Sequence, residues 1–421
     1  MLETASPTDS ITDTEGHDAA RHRVVLLGGF GMQPKSTMSA RALPLGQELA
    51  ARGHSVTMIV PPWDHPADAG RAWTDDGVRI INVAIAEKLQ KPLRTPRIVA
   101  ALRAAVTSVR PDVVHLFKPK GYGGLAAATL RDLPLVVDTD DWEGAGGWND
   151  RGLYSPAQQR LFAWQERALP QHAAHVTVAS RTLEAQQWGF GIPPNRVTYL
   201  PNAVSAARYA GWRNIDAITE RAATIRAERG LTGSTVVLYT RFVEFTPDRI
   251  ARIFGRVQST VPDARLLIVG GGLHREDSAV RGALRKYGDA VLWSGIVPFD
   301  AVPAWLRAAD VAVIPFEDTL INRAKCSVKT LDLLVVGQAV VATAVGENMG
   351  AIRHNETGIL VPPGDDAALG DAVVRLLADS HYARRLGDAA REHVWRAQTW
   401  GAQIVAIEAI YDRVTARSRR R

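Results

Sequence analysis

Residues 23–31 read Arg-Val-Val-Leu-Leu-Gly-Gly-Phe-Gly. Val24–Leu27 is an unbroken apolar run, and Gly28–Gly31 stops it. A strand with one wet face alternates; a run without alternation is how a strand buried on both faces reads. The pattern recurs at 56–60 (closed by Pro61–Pro62), 78–83, 112–116, 135–137 and 176–179. Helical stretches fall between these runs, at 39–51 (halted by Gly53), 96–109, 121–130 and 156–168. Strand and helix in alternation predict a parallel α/β sheet with right-handed crossovers.

Residues 206–230 are helical, charged and poor in strand formers, and they read as a linker. The alternation then restarts, with strands at 236–239, 265–269, 291–293, 311–315 and 339–343. The expected organisation is a disordered leader (1–20), a first Rossmann-like domain (21–205), the linker and a second Rossmann-like domain (231–396). A helix at 397–416 is expected to cross back to the first domain, ahead of a basic tail (417–421). Two doubly wound parallel sheets would face each other across a cleft, with ligands at the carboxyl ends of the strands.

The chain has 421 residues, which suits two domains, and hydrophobic and charged contents of 46% and 22% are ordinary globular values. No apolar run approaches the roughly 18 residues that span a bilayer. The first residues are polar and acidic, unlike a secretory signal. One cysteine, Cys326, excludes an internal disulfide and a Cys-based zinc site. A cytoplasmic protein is expected. The net charge of +6 gathers between Lys88 and Arg110 and at the C-terminal arginines. That basicity suits a solvated surface, phosphorylated substrates or peripheral attraction to an anionic membrane. No nucleic-acid partner is expected, because aromatics do not interleave with the basic residues.

Several strings taken together resemble the retaining family-4 glycosyltransferases, over residues 23 to about 412. They are residues 40–60, Pro111–His115, Pro201–Ser205, Gly337–Thr343 and Glu356–Pro363. The resemblance implies the GT-B fold and transfer of a sugar from a nucleotide-sugar donor to a glycan, lipid-linked or small-molecule acceptor. It implies no cofactor beyond that co-substrate and no metal. Two alternatives stay open: a nonhydrolysing sugar-nucleotide epimerase, and a catalytically lapsed nucleotide-sugar binder.

A nucleoside diphosphate needs cations or backbone amides for its phosphates and an acceptor for its ribose. Ser327 is a good N-cap for the helix 328–336, and Lys329 and Asp332 share one face of it. They are either a phosphate and ribose pair or a structural ion pair. The resemblance places Asp332 at the second of the family's paired glutamates. The first falls on Ala324, with Glu317, Asp318, Asn322 and Arg323 as candidate replacements. Arg241 matches the family's phosphate-contacting arginine, but Glu244–Thr246 lacks the usual lysine, and Lys329 is the candidate substitute. Gly271, Gly272, Ile296, Gly346, Glu347 and Asn348 complete the expected donor site, with Gly29 facing it from the first domain.

For the acceptor, Lys35 and the acidic, aromatic string Asp140, Asp141 and Trp142 are the candidates. His115 is a candidate catalytic group at a strand end. Arg241 and Lys329 would stabilise the departing diphosphate.

Overall fold

The computed structural model describes residues 21–33, 37–85, 91–272 and 276–419. The expected leader (1–20), Lys35 and the last two arginines lie outside the described residues.

The first sheet comprises β1 (Arg23–Gly28), β2 (Ser55–Val60), β3 (Ala72–Asp75), β4 (Val78–Asn82), β5 (Val113–Phe117), β6 (Leu135–Thr139), β7 (His175–Val178) and β8 (Val197–Tyr199). Their order is β3-β4-β2-β1-β5-β6-β7-β8, and all neighbours run parallel except β3 and β4. Its helices are α1 (Leu43–Ala51), α2 (Lys91–Val109), α3 (Gly121–Ala127), α4 (Pro156–His172) and α5 (Arg181–Gly189). The chain moves outward from β1 to β2, then returns to the other side of β1 for β5. That reversal opens a crevice at the carboxyl ends of β1 and β5.

The second unit begins with α6 (Ile215–Glu228), followed by β9 (Thr235–Thr240), α7 (Pro247–Thr260), β10 (Arg265–Gly270), α8 (Glu276–Leu284), β11 (Val291–Gly295) and α9 (Val302–Arg307). Then come β12 (Val311–Ile314), α10 (Leu320–Ala324), α11 (Val328–Val335), β13 (Ala339–Thr343), α12 (Asn348–Ala351), β14 (Ile359–Val361), α13 (Asp366–Ala378) and α14 (Ser380–Ala397). The order β11-β10-β9-β12-β13-β14 is parallel throughout and reverses between β9 and β12. Each sheet is sandwiched between two apolar clusters, one on each face.

Residues 206–230 differ from the expected linker. Tyr209, Trp212, Ile218 and Ala222 are buried in one core cluster with Leu306 and Leu333, so the segment is a packed layer of the second domain. Helix α15 (Trp400–Arg419) crosses to the first sheet. Trp400, Ile404, Ile407, Ile410 and Val414 join the core that holds Leu45, Leu49 and Met58. At about 1.5–3 kcal/mol for each buried apolar side chain, this is of order 10 kcal/mol before ordering entropy is subtracted. Polar contacts fix its register: Arg52 grips Glu408 (2.7 Å), and His22 meets Asp412 (2.7 Å).

Among the described residues no helix is long and apolar enough to cross a membrane.

Candidate active site

The second sheet's reversal brings Arg241, just past β9, beside the first turn of α11. Ser327 caps that helix, accepting from the Thr330 N–H (3.4 Å). Lys329 sits in the first turn with its Nζ 3.7 Å from the centroid of the Tyr239 ring. Burial pulls its pKa down to about 8; Asp332 opposes that shift and Arg241 adds to it. No hydrogen bond or ion pair is seen for Arg241 or Lys329 among the described residues. Asp332 and Glu244 act on Lys329 only through space, so the two neighbouring cations keep their donors available to an anion.

Asp332 is 3% exposed. It accepts from the hydroxyls of Tyr209 (2.6 Å) and Tyr239 (3.1 Å). Burial raises its pKa, against these hydrogen bonds and Lys329. Lys329 and Asp332 therefore do not form the direct ion pair that was one alternative; Tyr239 stands between them, ring to the cation and hydroxyl to the carboxylate.

The candidate replacements for the first glutamate are all engaged elsewhere. Glu317 accepts from Thr246 N–H (2.8 Å) and hydroxyl (2.7 Å), Asp318 pairs with Arg323, and the Asn322 amide donates to Glu244 O (2.7 Å) and Glu317 O (2.8 Å). Ala324 is fully buried. Glu244 and Lys325, neither singled out from sequence, form a partly buried pair (2.6 Å). Burial opposes the Glu244 charge, but Lys325 outweighs it and lowers the pKa.

Gly271 and Gly272 follow β10; Gly271 borders Ile296, which is 77% exposed, and Gly272 borders Glu276 and Asp277. The Gly272 N–H donates to Asp277 (3.0 Å). At Gly346 the backbone is left-handed, and a Cβ would stand 2.6 Å from the Arg323 carbonyl oxygen, so glycine is required by packing. Glu347 reaches the first domain, accepting from the Arg181 N–H (2.8 Å) and the Tyr199 hydroxyl. The Asn348 amide donates to Thr343 O (3.2 Å) and accepts from Thr330 (3.3 Å).

On the first domain, Gly29 lies in the crevice between β1 and β5. A Cβ there would stand 2.5 Å from Lys120 O, so the close approach this glycine permits is to backbone. His115 corrects the expectation of a catalytic histidine. It is fully buried, with Nδ1 against the Tyr411 hydroxyl (2.9 Å) and Nε2 against Thr177 (3.2 Å). Burial holds its pKa at about 4, so it is neutral and joins α15 to the sheet.

Asp140 and Asp141 join a network that sequence alone did not reveal. Lys118 pairs with Asp141 and Glu143, and Lys120 pairs with Glu143 and donates to the Tyr154 hydroxyl (2.9 Å). Burial works against the Lys118 charge, but Asp141, Asp140 and Glu143 outweigh it and raise its pKa well above the usual lysine range. Asp140 accepts from Thr37 (2.7 Å), and burial lifts its pKa to about 6. Trp142 ties its indole N–H to Ala145 O (2.8 Å). Beneath them Arg41 and Asp138, both buried, form a bidentate pair at 2.7 and 2.6 Å.

The model for a glycosyl transferase 4-like domain matches residues 36–203, and that for glycosyl transferases group 1 matches residues 234–379. The chain is 24% identical over 413 residues to a glycogen synthase of Mycobacterium tuberculosis, covering 92% of this chain and 91% of that protein. It is 23% identical over 401 residues to the phosphatidyl-myo-inositol mannosyltransferase of Mycobacterium leprae, covering 93% and 97%. Among solved structures, the sucrose-phosphate synthase of Thermosynechococcus elongatus superposes with a TM-score of 0.70 at 22% identity, covering 94% of this chain and all of that one. WaaG, a glycosyltransferase involved in lipopolysaccharide biosynthesis, gives 0.67 at 17% identity, covering 92% and 99%. These structures share the two-domain fold.

Proposed function

The chain belongs to the group 1 glycosyltransferases, and from that premise we propose that it transfers a sugar from a nucleotide-sugar donor with retention of anomeric configuration. The observation that carries the reading is the pair Arg241 and Lys329, neighbouring cations with no direct hydrogen bond or ion pair among the described residues where the second sheet reverses. A diphosphate would bond both. In this reading the acceptor hydroxyl attacks the anomeric carbon on the face from which the diphosphate leaves. The bond from that carbon to the phosphate oxygen breaks, the new glycosidic bond forms, and the acceptor's proton passes to the departing phosphate. Arg241 and Lys329 stabilise the charge that develops there. A separate base is then unnecessary, in keeping with a buried His115.

Asp332 is the proposed ribose acceptor. Each carboxylate oxygen has a second lone pair beyond the one its tyrosine uses. Gly271, Gly272 and Ile296 are proposed to border the base, and Gly346–Asn348 the sugar and phosphates. The Lys118–Asp141 network faces the acceptor, whether glycan, lipid-linked or small molecule. The basic helix α2, with Leu93 62% exposed, is the face proposed to meet an anionic membrane, and cosedimentation with anionic vesicles tests that.

The deciding experiment incubates the protein with UDP-, GDP-, ADP- and TDP-sugars, with and without chelator, and follows release of nucleoside diphosphate. Turnover that survives chelation is expected. Lys329→Ala should abolish donor binding, and unchanged affinity would remove the assignment. A sugar isomer formed with no free nucleotide would instead identify an epimerase.

A further inference from the structure

A cavity of about 630 Å³ lies between helix α14 and the turn Ala210–Arg213. Its walls are Asp388, Arg391, Glu392, Trp395 and Arg396, which recur at helical spacing on one face of α14, and Arg213 opposite them. The volume falls in the range of roughly 300–1,000 Å³ typical of small-molecule sites. None of these residues belongs to the donor or acceptor sites described above.

The walls hold one another in place. The Arg213 guanidinium sits 3.9 Å from the centroid of the Trp395 ring. Arg391 donates through Nη2 to the Arg213 carbonyl oxygen (2.8 Å). Two donors are left over: the Arg391 Nε–H and the Trp395 indole N–H are buried, and neither has a partner among the described residues. Buried donors are nearly always paired, so two of them one helical turn apart ask for an acceptor from outside the chain.

Charge says what kind of acceptor. Arg213, Arg391 and Arg396 line the cavity, and Arg307 and Arg384 stand close behind. The crowding is felt at Arg307: burial lowers its pKa, and Arg391 and Arg384 lower it further against the pull of Asp388. Cations therefore outnumber the carboxylates Asp388 and Glu392. Glu392 is held only by an exposed contact with Arg396 (3.4 Å), and Asp388 makes no direct hydrogen bond or ion pair among the described residues. An anionic group suits the arginines and the indole; hydroxyls suit the two carboxylates. A bare phosphate would meet those carboxylates as like charges, and a neutral sugar would leave the surplus cations uncompensated.

We propose that this cavity is a second small-molecule site, taking a phosphomonoester on a hydroxylated body, with the phosphate toward Arg391 and Trp395 and the hydroxyls toward Asp388 and Glu392. Its place gives it leverage. Arg213 follows the segment that enters the second domain and Trp395 precedes the one that leaves it, and those segments are bonded together by Val204 N–H to Gln398 O (2.9 Å) and Trp400 N–H to Val204 O (3.1 Å).

Calorimetry on the full chain with glucose 6-phosphate, mannose 6-phosphate, AMP, inorganic phosphate and glucose tests the site. At least one ester should bind, about tenfold or more tighter than phosphate or glucose. A sugar phosphate as the tightest ligand identifies the body as a sugar, and AMP as the tightest identifies it as a nucleoside. Trp395→Phe, which removes only the indole N–H, and Arg391→Lys should each weaken binding about tenfold, while Lys329→Ala leaves it unchanged. The urea midpoint of Trp395→Phe should not fall, since the lost donor had no partner. No ester binding in the wild type, binding of phosphate as tight as any ester, or full affinity in folded Trp395→Phe and Arg391→Lys overturns the proposal. Loss in Lys329→Ala with full affinity in Trp395→Phe assigns the ligand to the donor site and overturns it equally.

Discussion

Lys329 sits in the first turn of α11, where burial, with Arg241 beside it, brings its pKa to about 8 against the opposing pull of Asp332. The lowered value makes donor binding pH-sensitive. Below pH 8 the ammonium is charged and holds the diphosphate; as pH rises through 8 the charge is lost and affinity falls. Calorimetry with a nucleoside diphosphate from about pH 7 to about pH 10 should show a loss of roughly tenfold, which Lys329→Arg flattens because a guanidinium stays charged. The lysine and the aspartate three residues on could be picked out from sequence, since charges on an otherwise apolar helix ask for a reason. Their true neighbours could not. Tyr209 and Tyr239 lie 123 and 93 positions from Asp332, and no local pattern encodes such a contact. The structural role of His115 is hidden from sequence for the same reason: its partner Tyr411 is 296 positions away.

At the scale of elements, the parallel strands were legible because a strand buried on both faces is a local run of apolar residues. The antiparallel β3 was not. Ala72–Asp75 is short and half-exposed, and its pairing with β4 depends on a turn through Asp76 and Gly77. Where elements touch most closely, glycine decides. A Cβ on Gly387 would lie 2.1 Å from Gly337 O, so α14 lies against the turn after α11 through a bare backbone. Gly387→Ala should force the two apart and cost about 1–3 kcal/mol, read as a lower midpoint in urea unfolding. The first sheet contains a second sensitivity. His115 and His175 are both pushed down to about 4 by burial. The unfolded chain takes up protons below about pH 6.5 that the folded sheet refuses until about pH 4. Stability from these residues is therefore complete above pH 6.5 and is lost as pH falls toward 4, by on the order of 3 kcal/mol for His115. Denaturant melts across that range should show this loss, and a folded His115→Gln variant should show less of it.

On the scale of the whole molecule, the two domains meet through Ala324 and Cys326, which pack into an apolar cluster of the first domain, and through polar contacts. Glu347 takes hydrogen bonds from Arg181 and Tyr199, Asn202 donates to Cys326 O (2.6 Å), and Arg208 donates to Ser39 O (2.7 Å). Contacts of this kind hold a cleft without welding it. Glu347→Ala should loosen closure, seen as a larger radius of gyration in solution scattering that nucleotide only partly reverses. The two-domain plan was legible because the strand–helix rhythm stops and restarts. The packing of residues 206–230 was not, since a helix with few apolar residues reads the same whether it links or covers. Helix α15 carries a consequence for synthesis. The first sheet is complete in sequence by Tyr199, yet its core contains Trp400 to Val414. On the ribosome this domain must wait, with one apolar face uncovered, until the second has been made. Order of manufacture and order of maturation are therefore opposed. The second domain can mature first, and a ribosome that stalls before residue 400 leaves the N-terminal half as a client for chaperones.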